Sequence, residues 1–419
     1  MTRSPTATVL VLGLLAALAC GDPEPPKAVD VPPPVEAPAP QLRGLWVLCE
    51  GSQRVLEHPE RIPVLIADAH RMGVSDLFVQ VYRGGRAWFD SSHADATPYR
   101  KLREATGADT LAQLITQAHE NDLRVHAWVN VLSLAANRDA PILADLGPGA
   151  VLVDRWGRSL LDYPGLDVPP PDRRYYRMGT PAVWLDPAAP GVAERLVGTF
   201  TELLTKYPEL DGLHLDYIRY PDVLPFAPGS RFGVGLDFGY GEATRARFRA
   251  ETGLEAPFGD SLANANAWDG WRRDQVTALV AALRFAARTA LDDIEFSAAV
   301  WSWADRAYLA QGQDWRRWLE DGLLEFAVPM SYTLDDRMLR YQAESYSGHP
   351  VADRIWVGLG TWLFARRPER AVEQIRIVRA AGAAGDSLFS WDSIADAPAL
   401  LDALAAEASV DATETPGDG

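Results

Sequence analysis

The run Leu213-His214-Leu215-Asp216-Tyr217-Ile218-Arg219-Tyr220-Pro221 sets a carboxylate inside an apolar alternation of strand type. Successive side chains of a strand point to opposite faces, so His214 and Asp216 share one side and Leu213 and Leu215 the other. Leucines suit a layer covered by helices, which turns His214 and Asp216 inward. There an ionised group is costly unless it is hydrogen-bonded or chemically employed. A structural Asp satisfied by Arg219 or a neighbouring backbone is the plainer alternative. Further carboxylates stand where β-rich runs stop: Glu50, Asp305, Asp335, Asp336 and Asp392. Glu50 closes Trp46-Val47-Leu48-Cys49-Glu50, which Arg43 begins, and Asp392 follows Trp391 directly. For both, a capping or solvated role competes with catalysis. Two carboxylates are what glycosidic cleavage needs, ~5–5.5 Å apart for retention or ~6.5–9.5 Å for inversion. Asp216 is the first candidate, and its partner is open between Glu50 and Asp392.

Aromatic rings gather at the same ends: Tyr82, Trp88, Trp128, Tyr217, Tyr220, Trp301, Trp303, Tyr332, Trp362 and Trp391. Flat rings stack on the apolar faces of sugars, although core packing is expected to claim about half of them. Other chemistries lack their motifs. His126 and His214 fall on different strands, and no His-x-His or His-Glu-x-x-His occurs, so no metal is expected. No Gly-x-Ser-x-Gly elbow and no Walker-type phosphate loop occur either, and no cofactor is expected.

Eight short β-rich runs must carry these residues: 44–49, 76–82, 124–131, 212–219, 295–301, 326–332, 355–360 and 387–391. Amphipathic helical patterns lie between them, at 62–72, 111–121, 192–207, 276–290, 315–319, 368–381 and 399–406. Eight alternations without a Gly-rich dinucleotide turn predict an α/β fold, a (β/α)₈ TIM barrel. Its long insertions follow strands 3 and 4, on the face where barrel enzymes keep their chemistry. Within the first, 151–154 and 159–162 read as a hairpin.

The 419 residues carry 57 acidic against 40 basic side chains, a formal net charge of −17, which disfavours nucleic acid as a partner. Residues 1–19 read as a signal peptide, with an apolar run from Val9 to Leu18 before Ala19-Cys20. The pattern resembles a bacterial lipoprotein signal in which Cys20 takes lipid. Residues 20–41 form a Pro-rich tether, 42–408 the barrel domain, and 409–419 an acidic disordered tail. The expected location is the periplasmic face of the envelope, lipid-anchored, with Gly21 after the Cys favouring the outer membrane. The membrane is a partner through that anchor alone. Cys49 then has no internal disulfide partner and reads as a buried apolar-like residue. Oligomeric state is not legible.

Several separated blocks carry a resemblance: Arg43-Gly44-Leu45-Trp46-Val47; Leu77 to Ser91, with Gln80-Val81-Tyr82-Arg83-Gly84-Gly85-Arg86-Ala87-Trp88; His119 with Val125-His126-Ala127-Trp128-Val129-Asn130; Trp184-Leu185-Asp186-Pro187; and Asp211 to Pro221. From Arg43 to about Trp391 the chain resembles the bacterial glycosyl hydrolase-like 10 family. The resemblance implies a (β/α)₈ barrel and a glycoside hydrolase acting on a cell-envelope polysaccharide. Its implied substrate is peptidoglycan glycan strands stripped of their stem peptides. Catalysis would fall to Asp216 with Glu50 or Asp392. Arg43, Trp46, Gln80, Arg83, His126, Trp128, Asn130, His214, Tyr217, Arg219, Trp301, Tyr332 and Trp391 would bind the sugar. An N-acetyl group of the substrate acting as nucleophile, with Asp216 orienting it, would require one strong acid only. Two departures stand out. Pro329-Met330-Ser331-Tyr332 replaces a Pro-Gln pair on the sixth strand. The fourth-strand run is also similar to that of family-eighteen chitinases, with Ile218 where their acid Glu stands. The alternative from another class is a non-catalytic glycan-binding lipoprotein on a barrel scaffold.

Overall fold

The computed structural model describes residues 42–155, 157–162, 177–178, 182–221, 223–224, 238–255 and 262–414. Eight parallel strands close on themselves: β1 (Leu42–Val47), β2 (Asp76–Arg83), β3 (Arg124–Asn130), β4 (Gly212–Asp216), β5 (Glu295–Trp301), β6 (Phe326–Met330), β7 (Trp356–Gly360) and β8 (Gly385–Phe389). Pairing of Leu45 in β1 with both Leu77 in β2 and Leu388 in β8 completes the ring. Helices follow the strands, making a (β/α)₈ barrel. The helix Leu262–Ala290 starts well before the periodicity at 276 suggests, and the last helix, Pro398–Glu414, runs past the expected domain end at 408. Signal, lipidation and tether at 1–41 lie outside the described residues, as do 415–419 of the tail.

Alternation sorts the strand residues into two cores. Leu45, Val47, Leu77, Val79, Val125, Ala127, Leu213 and Leu215 face the helices. Trp46, Phe78, Trp128, Ala299, Val328 and Trp356 fill the barrel's interior. Rings this large fit because glycines stand beside them. A Cβ on Gly44 would lie 2.4 Å from the Phe78 ring, and one on Gly212 would lie 1.9 Å from His126 Nδ1. Interior packing is close to crystalline, so such gaps are part of the design and not slack.

The sequence expectation placed Arg43, His126 and His214 in the sugar site, and the structure corrects all three. Arg43 faces outward at the start of β1. Its guanidinium chelates Asp386 of β8 at 2.7 and 2.9 Å, donates to the Met72 carbonyl at 2.9 Å, and meets Glu407 of the last helix. It buckles the barrel's closing seam. His126 is wholly buried at the opposite end from the mouth, with Nε2 2.8 Å from Asp76. His214 lies one layer beneath Asp216, stacked on Phe78 at 4.3 Å between ring centres. Its Nε2 accepts from Trp46 Nε1 at 3.2 Å, so Nδ1 carries the proton and donates to Ser297 Oγ at 2.8 Å. Burial first, then the nearby His126, pushes the His214 pKa well down, and the ring is neutral. Alternation chose the correct face for His214 and could not tell depth along the axis.

The insertion after β3 contains the expected hairpin: Asp154 N–H bonds the Arg158 carbonyl and Leu160 N–H the Leu152 carbonyl, at 2.9 and 3.0 Å. The insertion after β4 builds a small core of its own around Tyr240, Phe248, Trp268 and Trp271. Asp186 ties the two together, accepting from Thr244 Oγ1 at 2.7 Å and the Ala188 N–H at 2.9 Å. Burial raises its pKa.

Candidate active site

At the strands' C-terminal ends lies a cavity of about 240 Å³, floored by Trp46 and Trp128 and walled by Gln80, Arg83, Asn130, Asp216, Tyr217, Arg219 and Tyr332. Among the described residues lining it, Asp216 is the one carboxylate. Oδ1 accepts the Tyr217 N–H at 2.6 Å, and Oδ2 accepts Trp128 Nε1 at the longer 3.2 Å. Tyr217 holds a left-handed backbone, φ 54°, which aims that N–H back at the carboxylate. Such a conformation is uncommon for a non-glycine residue and collects at functional sites. Burial pushes the Asp216 pKa up to about 6, although Arg219, the Tyr217 N–H and the Trp128 N–H oppose it. A carboxyl in that range holds a proton it can release near neutrality.

The neighbours are cationic and aromatic. The Arg219 guanidinium lies 5.1 Å from the Tyr217 ring centre and 5.3 Å from that of Trp184, a stacked cation beside the acid. Arg83 reaches the mouth through a register shift between Gln80 and Tyr82 opposite β3. The extra residue turns Tyr82 outward against Phe200, 5.2 Å between ring centres, and leaves Arg83 on the inner side. Gln80 and Asn130 are tied amide to amide at 3.2 Å, and Gln80 Oε1 accepts Cys49 Sγ at 3.1 Å. The Cys49 thiol is buried, its pKa raised well above the usual range first by burial and then by Glu50. The Tyr332 hydroxyl is buried without a hydrogen-bond partner among the described residues. Burial, then Asp216 and Tyr217, pushes its pKa far up, so it remains a proton-bearing donor.

Of the expected sugar-binding residues, Trp46, Gln80, Arg83, Trp128, Asn130, Tyr217, Arg219 and Tyr332 come together around this cavity, and Trp301 lines an adjoining one. Trp391 does not. β8 ends at Phe389, so Phe389 takes the inward position and Trp391 opens the next helix, its Nε1 bonded to Asp68 at 3.1 Å in the helix layer. The candidate partner acids are also displaced. Glu50 pairs with Arg83 at 3.2 Å and Arg86 at 2.8 Å on the rim, its charge already met by two guanidiniums. Asp392 is buried and accepts the N–H groups of Gln53 at 2.9 Å and Leu48 at 3.1 Å, bracing the loop after β1. Burial raises its pKa against those two donors. Asp392→Ala is therefore expected to lower stability by about 1–3 kcal/mol, from two orphaned N–H groups, with kcat of the folded protein unchanged. Calorimetry beside active-site-normalised rates checks this. The sequence reading missed Leu48, Met330 and Phe389 on the wall. Inward alternation carried on from Trp46, Val328 and Ser387 would have found them.

One group of possible metal ligands occurs among the described residues, Asp76, His126 and Glu295, with ligand atoms within 4.8 Å of one another. Arg124 already supplies the positive charge there, 2.6 Å from both carboxylates. The group lies at the barrel's other end from Asp216.

Residues 41–358 match the sequence profile of the family described as Glycosyl hydrolase-like 10. The chain belongs to that family. Glycosyl hydrolase DigH of Escherichia coli K12 is 23% identical over 365 residues, covering 79% of this chain and 75% of that protein. Glycosyl hydrolase YngK of Bacillus subtilis is 22% identical over 322 residues, covering 70% of this chain and 54% of its own length. Among solved structures, the PgaB (BpsB) glycoside hydrolase domain from Bordetella bronchiseptica superposes with a TM-score of 0.63 at 16% identity, over 87% of this chain and 99% of that domain. Family membership makes this barrel a glycoside hydrolase, and the likeness to the solved domain carries its fold.

Proposed function

We propose that this glycosidase cuts amino-sugar strands of the cell envelope, peptidoglycan glycan freed of its stem peptides, with Asp216 as its acid and base. The observation that carries the reading is the single carboxylate lining the cavity among the described residues, raised to about 6 and set between stacked rings and two arginines. One carboxylate suffices where the substrate's acetamido oxygen is the nucleophile. Asp216 Oδ2, the more loosely held oxygen, gives its proton to the leaving glycosidic oxygen as the C1–O bond breaks and the acetamido oxygen bonds to C1. The carboxylate then takes a proton from water, whose oxygen displaces the acetamido oxygen at C1, with net retention. Tyr332 donates a hydrogen bond to the bound sugar.

Arg83 favours the peptide-free strand. Removal of the stem peptide exposes a lactyl carboxylate on every second sugar, and Arg83 and Arg86, sharing the one charge of Glu50, leave a net positive charge at the mouth to meet it. In the peptide-bearing strand that group is a neutral amide. Incubation with both purified strands, read by mass spectrometry, is expected to give retained-configuration oligosaccharides from the peptide-free one at least about tenfold faster, a preference lost in Arg83→Met. Equal cleavage of the two would remove the substrate assignment, and cleavage of neither would remove the reaction. Because the protonated Asp216 acts first, kcat/KM is expected to fall about tenfold per pH unit above about 6. A rising limb there would make Asp216 an anionic stabiliser instead.

The reading includes a lipid anchor at Cys20 on the periplasmic face, supported by the apolar run before Ala19-Cys20 and the Pro-rich stretch that follows. Cys20→Ser is expected to abolish incorporation of labelled fatty acid. Equal labelling of variant and parent would refute the anchor.

A further inference from the structure

Beside the Asp216 cavity lies a second one of about 340 Å³, sharing Arg219, Met330 and Tyr332 with it as a common wall. Its size alone reaches the ~300–1,000 Å³ of small-ligand sites. Two independent features separate it from a packing gap. Gln342, on the helix Asp336–Ser347, lines it at 3% exposure, and its Oε1 has no hydrogen-bond partner among the described residues. A buried acceptor left unpaired is unfavourable until an N–H or O–H reaches it. At the rim, Trp303 is 39% exposed, with its ring 6.0 Å from that of Tyr341, itself 62% exposed. Large rings kept in water beside a cavity offer the flat apolar face that a sugar ring covers. Apart from Arg219 on the shared wall, the described residues that line it carry no charge.

We propose that this cavity is a second sugar subsite. It seats a neutral N-acetylated ring of the same glycan chain, adjacent to the ring at Asp216, with that ring's face on Trp303 and an amide or hydroxyl hydrogen donated to Gln342 Oε1. The inference rests on the glycan reading above and makes the enzyme sensitive to chain length. Arg219 and Tyr332, standing in both walls, flank the glycosidic bond that joins the two rings.

The test uses the full chain carrying Asp216→Asn, with its turnover slowed about 10³-fold, titrated calorimetrically with the lactyl-bearing amino sugar alone and with the disaccharide that adds the neutral N-acetylated ring. The disaccharide is expected to bind about tenfold more tightly, the scale of one stacked ring. Adding Trp303→Ala or Gln342→Leu is expected to erase that gain and leave the monosaccharide Kd unchanged. A gain that persists in both variants overturns the subsite, as does a parent that binds both sugars equally. Binding of neither sugar overturns the glycan reading itself. Should Gln342→Leu lose cooperative thermal unfolding, the exposed Trp303→Ala decides the matter alone.

Discussion

Asp216→Asn is expected to lower kcat by about 10³-fold, with KM for a glycan strand changed little. The exchange keeps the side chain's shape, and Oδ1 can still accept the Tyr217 N–H, so the cavity survives. What is lost is a transferable proton in the first half-reaction and a base in the second. Both act on bonds in flight and not on the resting substrate, which is why the loss appears in kcat. A companion effect on stability has the opposite sign. In the folded protein the Asp216 carboxyl holds its proton up to about 6, whereas in the unfolded chain it releases it near ~3.9. Between those values the folded state binds more protons, so Asp216 lowers stability as pH rises through that window and adds no further change above it. The Asn variant lacks this term and is expected to gain about 1–3 kcal/mol on the parent between pH 4 and pH 7, in chemical denaturation. Asp305→Asn, at an exposed position, serves as the control in both measurements. Full turnover by Asp216→Asn on a strand that the parent cleaves would remove Asp216 from the mechanism.

Gly212→Ala is expected to cost at least about 3 kcal/mol although it adds one methyl group. That methyl would stand 1.9 Å from His126 Nδ1 in the interior of the barrel, and the ring has little freedom to retreat. His126 Nε2 is tied to Asp76, which Arg124 also holds, and the ring's face meets Phe78 at 5.2 Å and Phe326 at 5.8 Å between centres. The strain therefore passes into β2, β3 and β6 together. The measurement is the urea midpoint of the purified variant, or its yield of soluble protein where folding fails. A midpoint within error of the parent would mean that the lower interior layer can repack. In the same assay Gly253→Ala, with no atom within 4 Å of its added Cβ, isolates the cost of backbone strain at φ +72°.

The periodicity of apolar residues was enough to count eight strands and to place His214 and Asp216 on the inner side of the fourth, while Gln80 and Asn130 came from the family resemblance and Trp128 from its place at a strand end. Burial on both faces leaves a strand a local signature, because apolar side chains that meet helices alternate with the residues that fill the barrel. The motif blocks carried the family by the same local means. Depth was not legible. His214 and Asp216 share a face, yet one is a neutral core ring bonded to Trp46 and Ser297 and the other lines the mouth. That two-residue step is set by the stagger of eight strands against one another, a property of closure that no single strand contains. Strand ends were equally beyond local reach. Two residues' difference at the end of β8 moved Trp391 into the helix layer and gave its place to Phe389, and the bulge in β2 exchanged Tyr82 for Arg83. Long-range pairing also decided which carboxylate is chemical. Glu50, Asp392 and Asp216 look alike along the chain. Two guanidiniums engage the first, and two backbone N–H groups from another loop engage the second. The third alone lines the cavity, its charge opposed by burial, because partners distant in sequence meet only once the barrel has closed.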